Sequence, residues 1–374
     1  MANSTQLQTG NRTRHYGIDL LRILSMFMVL VMHIISFNDV SKEVRPFSAG
    51  YVCLWALYFA FFSCGNCYAL ITGYVTSGSR FRYTNIVLLW LQVALYSVGG
   101  TLLQGVLYPG TVGKLRLIRA FFPASMKFFW YFSGYCALFL LIPLLNRGLA
   151  LLNRRQAKAL CLTIIGLFSF APVLLYPNAY GTSGGYSGFW LLLMYILGAC
   201  IRRFDFGAKL RSWVLLCIYG GCVVTALGLL LLIRSPLGAS VSQVLSEDAI
   251  RNQTFPTILL GGIVLTLLFS RIRITSRKVI GLVKLLSPVS FGVYILQMQD
   301  PLCAMVFEDV PYEKLADANP VILIGGILLG ALATFLIFGT VDYLRHLLFR
   351  GLKLKERLLK LEEKYLGRIW DGNP

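Results

Sequence analysis

The sequence GIDLLRILSMFMVLVMHIISF, residues 17–37, is long and apolar enough to cross a lipid bilayer, yet it contains three ionisable side chains. These are Asp19, Arg22 and His33. An ionisable group inside a membrane span is costly, so it indicates a functional site by default. The stretch therefore predicts a membrane helix with a candidate site along it.

The composition of the whole chain is that of an integral membrane protein. Hydrophobic residues make up 57% of its 374 residues and charged residues only 14%, against roughly 25% charged in soluble domains. The net charge of +19 is typical of basic inner loops, and because no basic module with interleaved aromatic residues stands apart, we expect no nucleic-acid partner.

The nine cysteines lie mostly in apolar runs. We interpret even CGNC, residues 64–67, as helix packing and expect neither disulfides nor a metal site.

Ten runs are apolar enough to predict an all-α bundle of about ten transmembrane helices, the first of them a retained helix and not a signal peptide. If both termini are cytoplasmic, 25 Lys and Arg residues fall in inner segments and nine in outer ones, as the positive-inside rule requires. We expect a cytoplasmic tail over 1–16, a membrane domain over 17–344 and a basic amphipathic tail over 345–374. The predicted spans are 17–37, 51–75, 85–107, 128–146, 158–175, 188–201, 212–233, 255–270, 287–307 and 320–344; the sixth and eighth are short.

The three ionisable groups of the first helix share one side of it at two depths. At about 100° and 1.5 Å per residue, Arg22 and His33 differ by about 20° around the axis and lie roughly 16 Å apart along it. Asp19 can pair with Arg22, but about 21 Å of helix separates it from the imidazole, which it cannot orient. A purely structural role remains an alternative, with Asp19 and Arg22 as a snorkelling pair and His33 bonded to another helix.

Arg80 and Arg82 flank an aromatic residue in the predicted inner loop SGSRFRYTN, residues 77–85. Two guanidinium groups at this spacing suit an extended segment that directs both at a phosphate, although two arginines in an inner loop are also ordinary positive-inside material. A ligand with phosphates at the cytosolic mouth could extend an arm some 15 Å along the helix to His33. Coenzyme A has this shape.

The sequence resembles the membrane-bound acyltransferase-3 family in several stretches. RHYGIDLLRILSMFMVLVMH (14–33) contains the family's Arg, ten residues and His, and RFR (80–82) matches its Arg-x-Arg motif. CYALITGYV (67–75), FWYFSGYCALFLLIPLLN (129–146) and SPVSFGVYILQ (287–297) are similar to family stretches in the expected order. The resemblance covers about residues 15–345.

This resemblance implies transfer of an acyl group, usually acetyl, from cytosolic acyl-CoA to a hydroxyl of a carbohydrate or cell-envelope acceptor. It implies that His33 is catalytic, and that Arg22, Arg80 and Arg82 serve the donor or catalysis; we group Asp19 with Arg22. We expect a multi-pass protein of a bacterial plasma membrane, in contact with the lipid bilayer. The sequence contains no information on its oligomeric state.

The ninth predicted span departs from the family, since Gln297 stands where many relatives have a His. Counted from Ser287, Gln297 and Asp300 lie at depths of about 15 and 20 Å, comparable with that of His33. Gln297 is therefore a candidate for acceptor binding. Asp300 could accept from the His33 ring, contact the acceptor sugar, or cap a helix at the water boundary. Trp130 and Tyr131 could stack on a sugar or anchor the protein at the interface.

Neutral His33 is expected to remove the proton of an acceptor hydroxyl that attacks the thioester carbonyl. A two-step route through an acyl-histidine is also chemically feasible. Two non-enzymatic alternatives stay open, a transporter or flippase of envelope lipids or polysaccharide and a signalling or scaffold protein with an inactive form of the fold.

Overall fold

The computed structural model describes residues 14–125, 129–174, 180–242 and 245–366. Residues 1–13 and 367–374 of the predicted tails, and residues 128 and 175 at the ends of two predicted spans, lie outside these ranges. Within the described ranges every regular element is a helix, as the apolar runs predict.

The helices follow one another in three groups along the chain. The first group contains α1 Tyr16–Phe37, α2 Val40–Glu43, α3 Ala49–Phe61, α4 Cys64–Thr76, α5 Tyr83–Leu107 and α6 Lys114–Ala120. The second contains α7 Trp130–Leu151, α8 Arg154–Ile165, α9 Ala171–Leu174, α10 Gly188–Phe204 and α11 Ser212–Arg234. The third contains α12 Ala239–Ser242, α13 Glu247–Ile250, α14 Pro256–Arg271, α15 Arg277–Leu286, α16 Ser290–Gln297, α17 Asp300–Cys303, α18 Pro320–Gly351 and α19 Leu354–Tyr365.

Eight helical stretches of the described chain are long and apolar enough to cross a membrane. One of them, Ala49–Thr76, is interrupted between α3 and α4. The predicted sixth and eighth spans coincide with α10 and α14, which are shorter, at 17 and 16 residues. The eight are Tyr16–Phe37, Ala49–Thr76, Tyr83–Leu107, Trp130–Leu151, Arg154–Val173, Ser212–Arg234, Arg277–Gln297 and Pro320–Gly351. Ten crossings remain a prediction.

The ninth span differs in position from its prediction. The structure places it at Arg277–Gln297, whereas the apolar run suggested 287–307. Its first half, α15, contains Lys and Arg beside its apolar residues, so in the sequence it looks like a basic loop. Beyond its end, Gln299 has an extended backbone, and the next helix, α17, starts separately at Asp300. The tenth span is also longer than predicted, since α18 continues past 344 to Gly351.

Two contacts bring both ends of the described chain to the same end of the bundle. The His15 ring packs edge-on against Tyr74 in the last turn of α4, with ring centroids 6.1 Å apart. Glu362 of α19 binds the first residues of α5, which follows α4 after a short loop. We call this the Arg22 end and the opposite one the His33 end. That the Arg22 end is cytoplasmic remains a prediction.

Helix α1 is the centre of the bundle and packs against α3, α4, α14, α15, α16 and α18. Beside it, α4 and α10 cross so closely that their glycines touch the opposite backbone. A Cβ on Gly73 would lie 2.0 Å from the Tyr195 carbonyl oxygen, and one on Gly198 would lie 2.1 Å from that of Leu70. Small residues allow two helices to approach this closely. Within a membrane, the van der Waals packing that results holds helices together in place of the hydrophobic effect.

A buried carboxylate fixes α16 against its neighbours. Asp342 of α18 is 0% exposed and accepts hydrogen bonds from Arg345 (3.0 and 2.5 Å), Gln92 (2.9 Å) and Tyr96 (2.7 Å). A Cβ on Gly292 would lie 2.0 Å from the Asp342 carboxyl carbon, so only glycine permits this contact. Helix α16 is therefore fixed in position relative to α5 and α18.

The tail helix α19 is attached to the bundle through Glu362. Its carboxylate accepts from the backbone N–H groups of Tyr83 and Thr84, both at 2.9 Å, and from the Thr84 hydroxyl. A carboxylate at a helix N-terminus satisfies unpaired N–H groups and interacts favourably with the helix dipole. Partial burial alone would raise the pKa of Glu362, but these hydrogen bonds and the nearby Arg82 lower it below its ordinary value of 4.5.

We expect α19 to detach from α5 in acid. Because the pKa of Glu362 is lower in the docked state, docking is stabilised above the ordinary pKa of 4.5 and weakens as pH falls through the docked value. The hydrogen-exchange protection factors of the Tyr83 and Thr84 amides, which correct for the slower intrinsic exchange in acid, should fall in the wild type as the pH is lowered. In Glu362→Gln exchange should be fast already at pH 7, and Glu363→Gln, one position further on, should exchange like the wild type. Slow exchange in Glu362→Gln at pH 7 would contradict this attachment.

Candidate active site

The first turn of α1 contains a buried network of charged and polar groups. Asp19 is 7% exposed, and its carboxylate accepts from Arg22 Nη1 at 2.8 Å and from Arg14 Nε at 2.5 Å. The Ser287 hydroxyl donates to Asp19 at 3.2 Å and accepts from Arg22 at the same distance. The structure thus contains the predicted pair of Asp19 and Arg22, and it adds Ser287 from the break between α15 and α16.

His33 lies near the other end of α1, where Gln297 orients its ring. Nδ1 of His33 is 3.1 Å from Oε1 of Gln297 and hydrogen-bonded to it; in the tautomer with the proton on Nδ1, the ring donates to this carbonyl oxygen. Nε2 of the neutral imidazole then has a free lone pair. The ring is stacked on Phe37, with centroids 4.7 Å apart, and edge-on to Phe307 at 5.9 Å.

His33 lines a cavity of about 300 Å³ at this end of the bundle. The walls are mostly apolar and aromatic and include Trp130 and Tyr131, the two residues predicted at the acceptor. Apolar pockets with a few polar groups are typical of ligand sites. The structure therefore places the predicted base and the predicted acceptor-side aromatics in one cavity.

One wall of the His33 cavity is polar and is fixed by the interruption between α3 and α4. There Asn66 donates to the Gln253 carbonyl oxygen at 2.8 Å and accepts from the Trp190 indole N–H at 2.8 Å. Gln253 in turn donates to the Phe62 carbonyl oxygen at 2.8 Å. Asn66, Trp190 and Gln253 all line the cavity. Because each amide is held by a partner, this wall has a defined set of polar atoms.

A second cavity, of about 220 Å³, lies closer to the Arg22 end and is lined by Arg22, Ser287 and Ser290. Three aromatic side chains line both cavities and form their shared wall, namely Tyr68, Tyr131 and Phe291. The Tyr68 and Ser290 hydroxyls are 3.0 Å apart and hydrogen-bonded. We call these three residues the aromatic wall. The two depths predicted for α1 thus correspond to two adjacent cavities.

The remaining predicted site residues lie elsewhere. Arg80 is exposed in the loop before α5, and Arg82 is half-buried at the helix N-cap. Asp300 forms an ion pair with Arg116 and lines a separate small cavity with it. The predicted contact between Asp300 and the His33 ring is not seen, since the ring is hydrogen-bonded to Gln297 through Nδ1. Gln297, a candidate for acceptor binding, is fully buried and is hydrogen-bonded to the histidine.

Several residues of the site were not identified from the sequence. Tyr68, Asn66, Ser287 and Ser290 are polar residues within or beside apolar runs. Their polarity is one available signal, and the family-like stretches 67–75 and 287–297, which contain Tyr68, Ser287 and Ser290, are another. Gln253 comes from the loop before α14 and has no local pattern that indicates a site. All five lie at helix breaks or on helices that face α1, which only the tertiary structure reveals.

The arrangement can support proton transfer next to a bound chain-like molecule. A neutral imidazole with one nitrogen bonded to a fixed acceptor has the orientation required of a general base. Arg22 supplies a positive charge one cavity away from the base.

The sequence matches one known protein family. The acyltransferase domain model of the acyltransferase-3 family matches residues 15–340. No curated protein and no solved structure matches the chain significantly. The matched range begins at the first helix and includes Arg22, His33, Arg80, Arg82 and Gln297. The chain therefore belongs to the acyltransferase-3 family and is a multi-pass membrane acyltransferase.

Proposed function

We propose that the protein is a membrane O-acyltransferase that moves an acyl group, expected to be acetyl, from cytosolic acyl-CoA to a hydroxyl of a carbohydrate or cell-envelope acceptor. The main support is the hydrogen bond between Nδ1 of His33 and Gln297, at a residue that lines a cavity with aromatic walls. We assign the proton to Nδ1, so that Nε2 is the unprotonated nitrogen. We place the protein in a bacterial plasma membrane, with the Arg22 end in the cytosol.

In this proposal the acceptor occupies the His33 cavity, with Trp130 and Tyr131 along its ring, and the donor arm extends from the Arg22 cavity. Nε2 of His33 removes the hydroxyl proton as the acceptor oxygen attacks the thioester carbonyl carbon. The carbon–sulfur bond then breaks, and the coenzyme A thiolate leaves and takes up a proton. The products are the acyl ester and free coenzyme A.

The depth difference along α1 fits the donor. Arg22 and His33 are about 16 Å apart along the helix axis, and the two cavities cover this interval with only the aromatic wall between them. An arm of the length found in coenzyme A could thus hold its phosphates beyond Arg22 and its thioester near His33. Arg80 and Arg82 are proposed to contact these phosphates.

Replacing His33 tests the proposal. His33→Ala should lower acyl transfer by about 10²- to 10⁴-fold, which is the usual contribution of general acid–base catalysis. The measurement is coenzyme A release by purified protein in a bilayer, together with a membrane-insertion assay. His15→Ala, outside both cavities, is the matched control. Full activity of His33→Ala would refute the mechanism, and a wild type that releases no coenzyme A would favour the transporter alternative.

Replacing Gln297 separates positioning from binding. Gln297→Leu removes the acceptor for Nδ1, so we expect kcat to fall by about 5- to 150-fold, since a lost hydrogen bond to a buried group costs about 1–3 kcal/mol. The donor KM should stay the same, because the hydrogen bond that Gln297 forms in the site is to the base. Gln297→Glu retains an acceptor oxygen and should recover activity relative to Gln297→Leu. An unchanged kcat in Gln297→Leu would exclude the positioning role.

Replacing the paired arginines tests the donor side. Arg80→Gln with Arg82→Gln should weaken acyl-CoA binding by about tenfold or more, because hydrogen bonds to charged groups contribute about 1.5–3 kcal/mol each. Acceptor KM should change far less. Arg155→Gln with Lys158→Gln removes the same charge from another basic segment and is the control. Unchanged donor affinity in the Arg80 and Arg82 variant would remove these residues from the phosphate role.

A further inference from the structure

A third cavity, of about 390 Å³, lies between the start of α5, the end of α18 and the start of α19. Its size is within the range of small-molecule sites. Basic side chains dominate its lining, which includes Arg345, Arg350, Lys353 and Lys355, against one acidic residue, Glu356. We call it the basic cavity. Its basic residues all lie beyond residue 340, where the family match ends.

Three of these four cations are available to a ligand. Arg345 is committed to the buried Asp342, which it contacts at 3.0 and 2.5 Å. Arg350, Lys353 and Lys355 form no ion pair within the described ranges. Three uncommitted cations around one concave space favour a ligand with several negative charges, and phosphate groups match Arg and Lys best.

The basic cavity is the outermost of three adjacent cavities that lead towards His33. Leu89 of α5 lines both it and the Arg22 cavity. The aromatic wall then lies between the Arg22 cavity and the His33 cavity. Arg82 is three positions before Asn85, another residue of the basic cavity, so the Arg-x-Arg motif lies about one helical turn away from it.

We propose that the basic cavity binds the nucleotide phosphates of the acyl donor, and that the C-terminal segment from Arg345 to Lys355 completes the donor site. This inference rests on the proposed function. An anionic lipid headgroup offers the same phosphate chemistry. We favour the donor because the basic cavity is the first of three adjacent cavities that end at His33. Binding of a lipid headgroup would require only the first of them.

The segment is held at α5 by the attachment already described. Glu362 of α19 binds the first residues of α5, and Lys353 adopts a left-handed backbone conformation (φ 51°) at the corner between α18 and α19. This corner turns α19 back towards α5. The cations at the end of α18 and those at the start of α19 therefore face a common space.

Coenzyme A binding by the full-length protein tests the inference. The protein is placed in nanodiscs of phosphatidylcholine alone, and titration calorimetry measures its affinity for coenzyme A. Arg350→Gln with Lys355→Gln should weaken binding by about tenfold or more, whereas Arg350→Lys with Lys355→Arg should bind like the wild type. Lys353 is left unchanged because its positive φ restricts which residues are tolerated at this position, whatever their charge. Lys360→Gln with Lys364→Gln is the matched control on α19.

The outcomes separate the inference from the proposed function. If the wild type binds coenzyme A and the Arg350 and Lys355 variant binds it equally well, the inference alone is overturned. It is overturned too if that variant retains coenzyme A affinity but loses binding of added phosphatidylglycerol, since the occupant is then a lipid headgroup. A wild type that binds no coenzyme A overturns the proposed function as well. Thermal melting shows whether each variant is folded.

Discussion

The structure depends on one constraint, that a polar or charged side chain inside an apolar helix bundle needs a partner. Asp19 has Arg14, Arg22 and Ser287. The carboxylate of α18 is held by three donors and touches the one glycine of α16 that permits it. These pairings position α16 beside α1, so the bond between His33 and Gln297 follows from contacts made elsewhere in the bundle.

Three adjacent cavities form a series, of which two lie along the central helix and the third lies between α5, α18 and α19. The base lies in one cavity, the first arginine in the next and the cations of the C-terminal segment in the third. Such a series suits a ligand with a reactive group and a charged group at opposite ends of a long arm. Family membership establishes acyl transfer, and the order of the cavities is our reason for proposing acyl-CoA as the donor.

Much of this could be predicted from the sequence, because apolar runs and helix pitch are local properties. The first helix, the pair of Asp19 and Arg22 and the shared side of His33 all follow from spacing alone. The ninth span could not be placed correctly, because α15 has basic residues on an otherwise apolar helix. The partner of His33 was also missed, since a contact between residues 264 positions apart has no local signal.

The aromatic wall has a consequence for the membrane itself. A protein with cavities at both depths of a bilayer would dissipate ion gradients across the membrane if those cavities joined into an open pore. Tyr68, Tyr131 and Phe291 line both cavities, and a hydrogen bond to Ser290 fixes the first of them. A slender acyl arm that replaced contacts within this wall would itself fill the opening it made. Acyl transfer could then link the two sides of the membrane without a permanent ion leak.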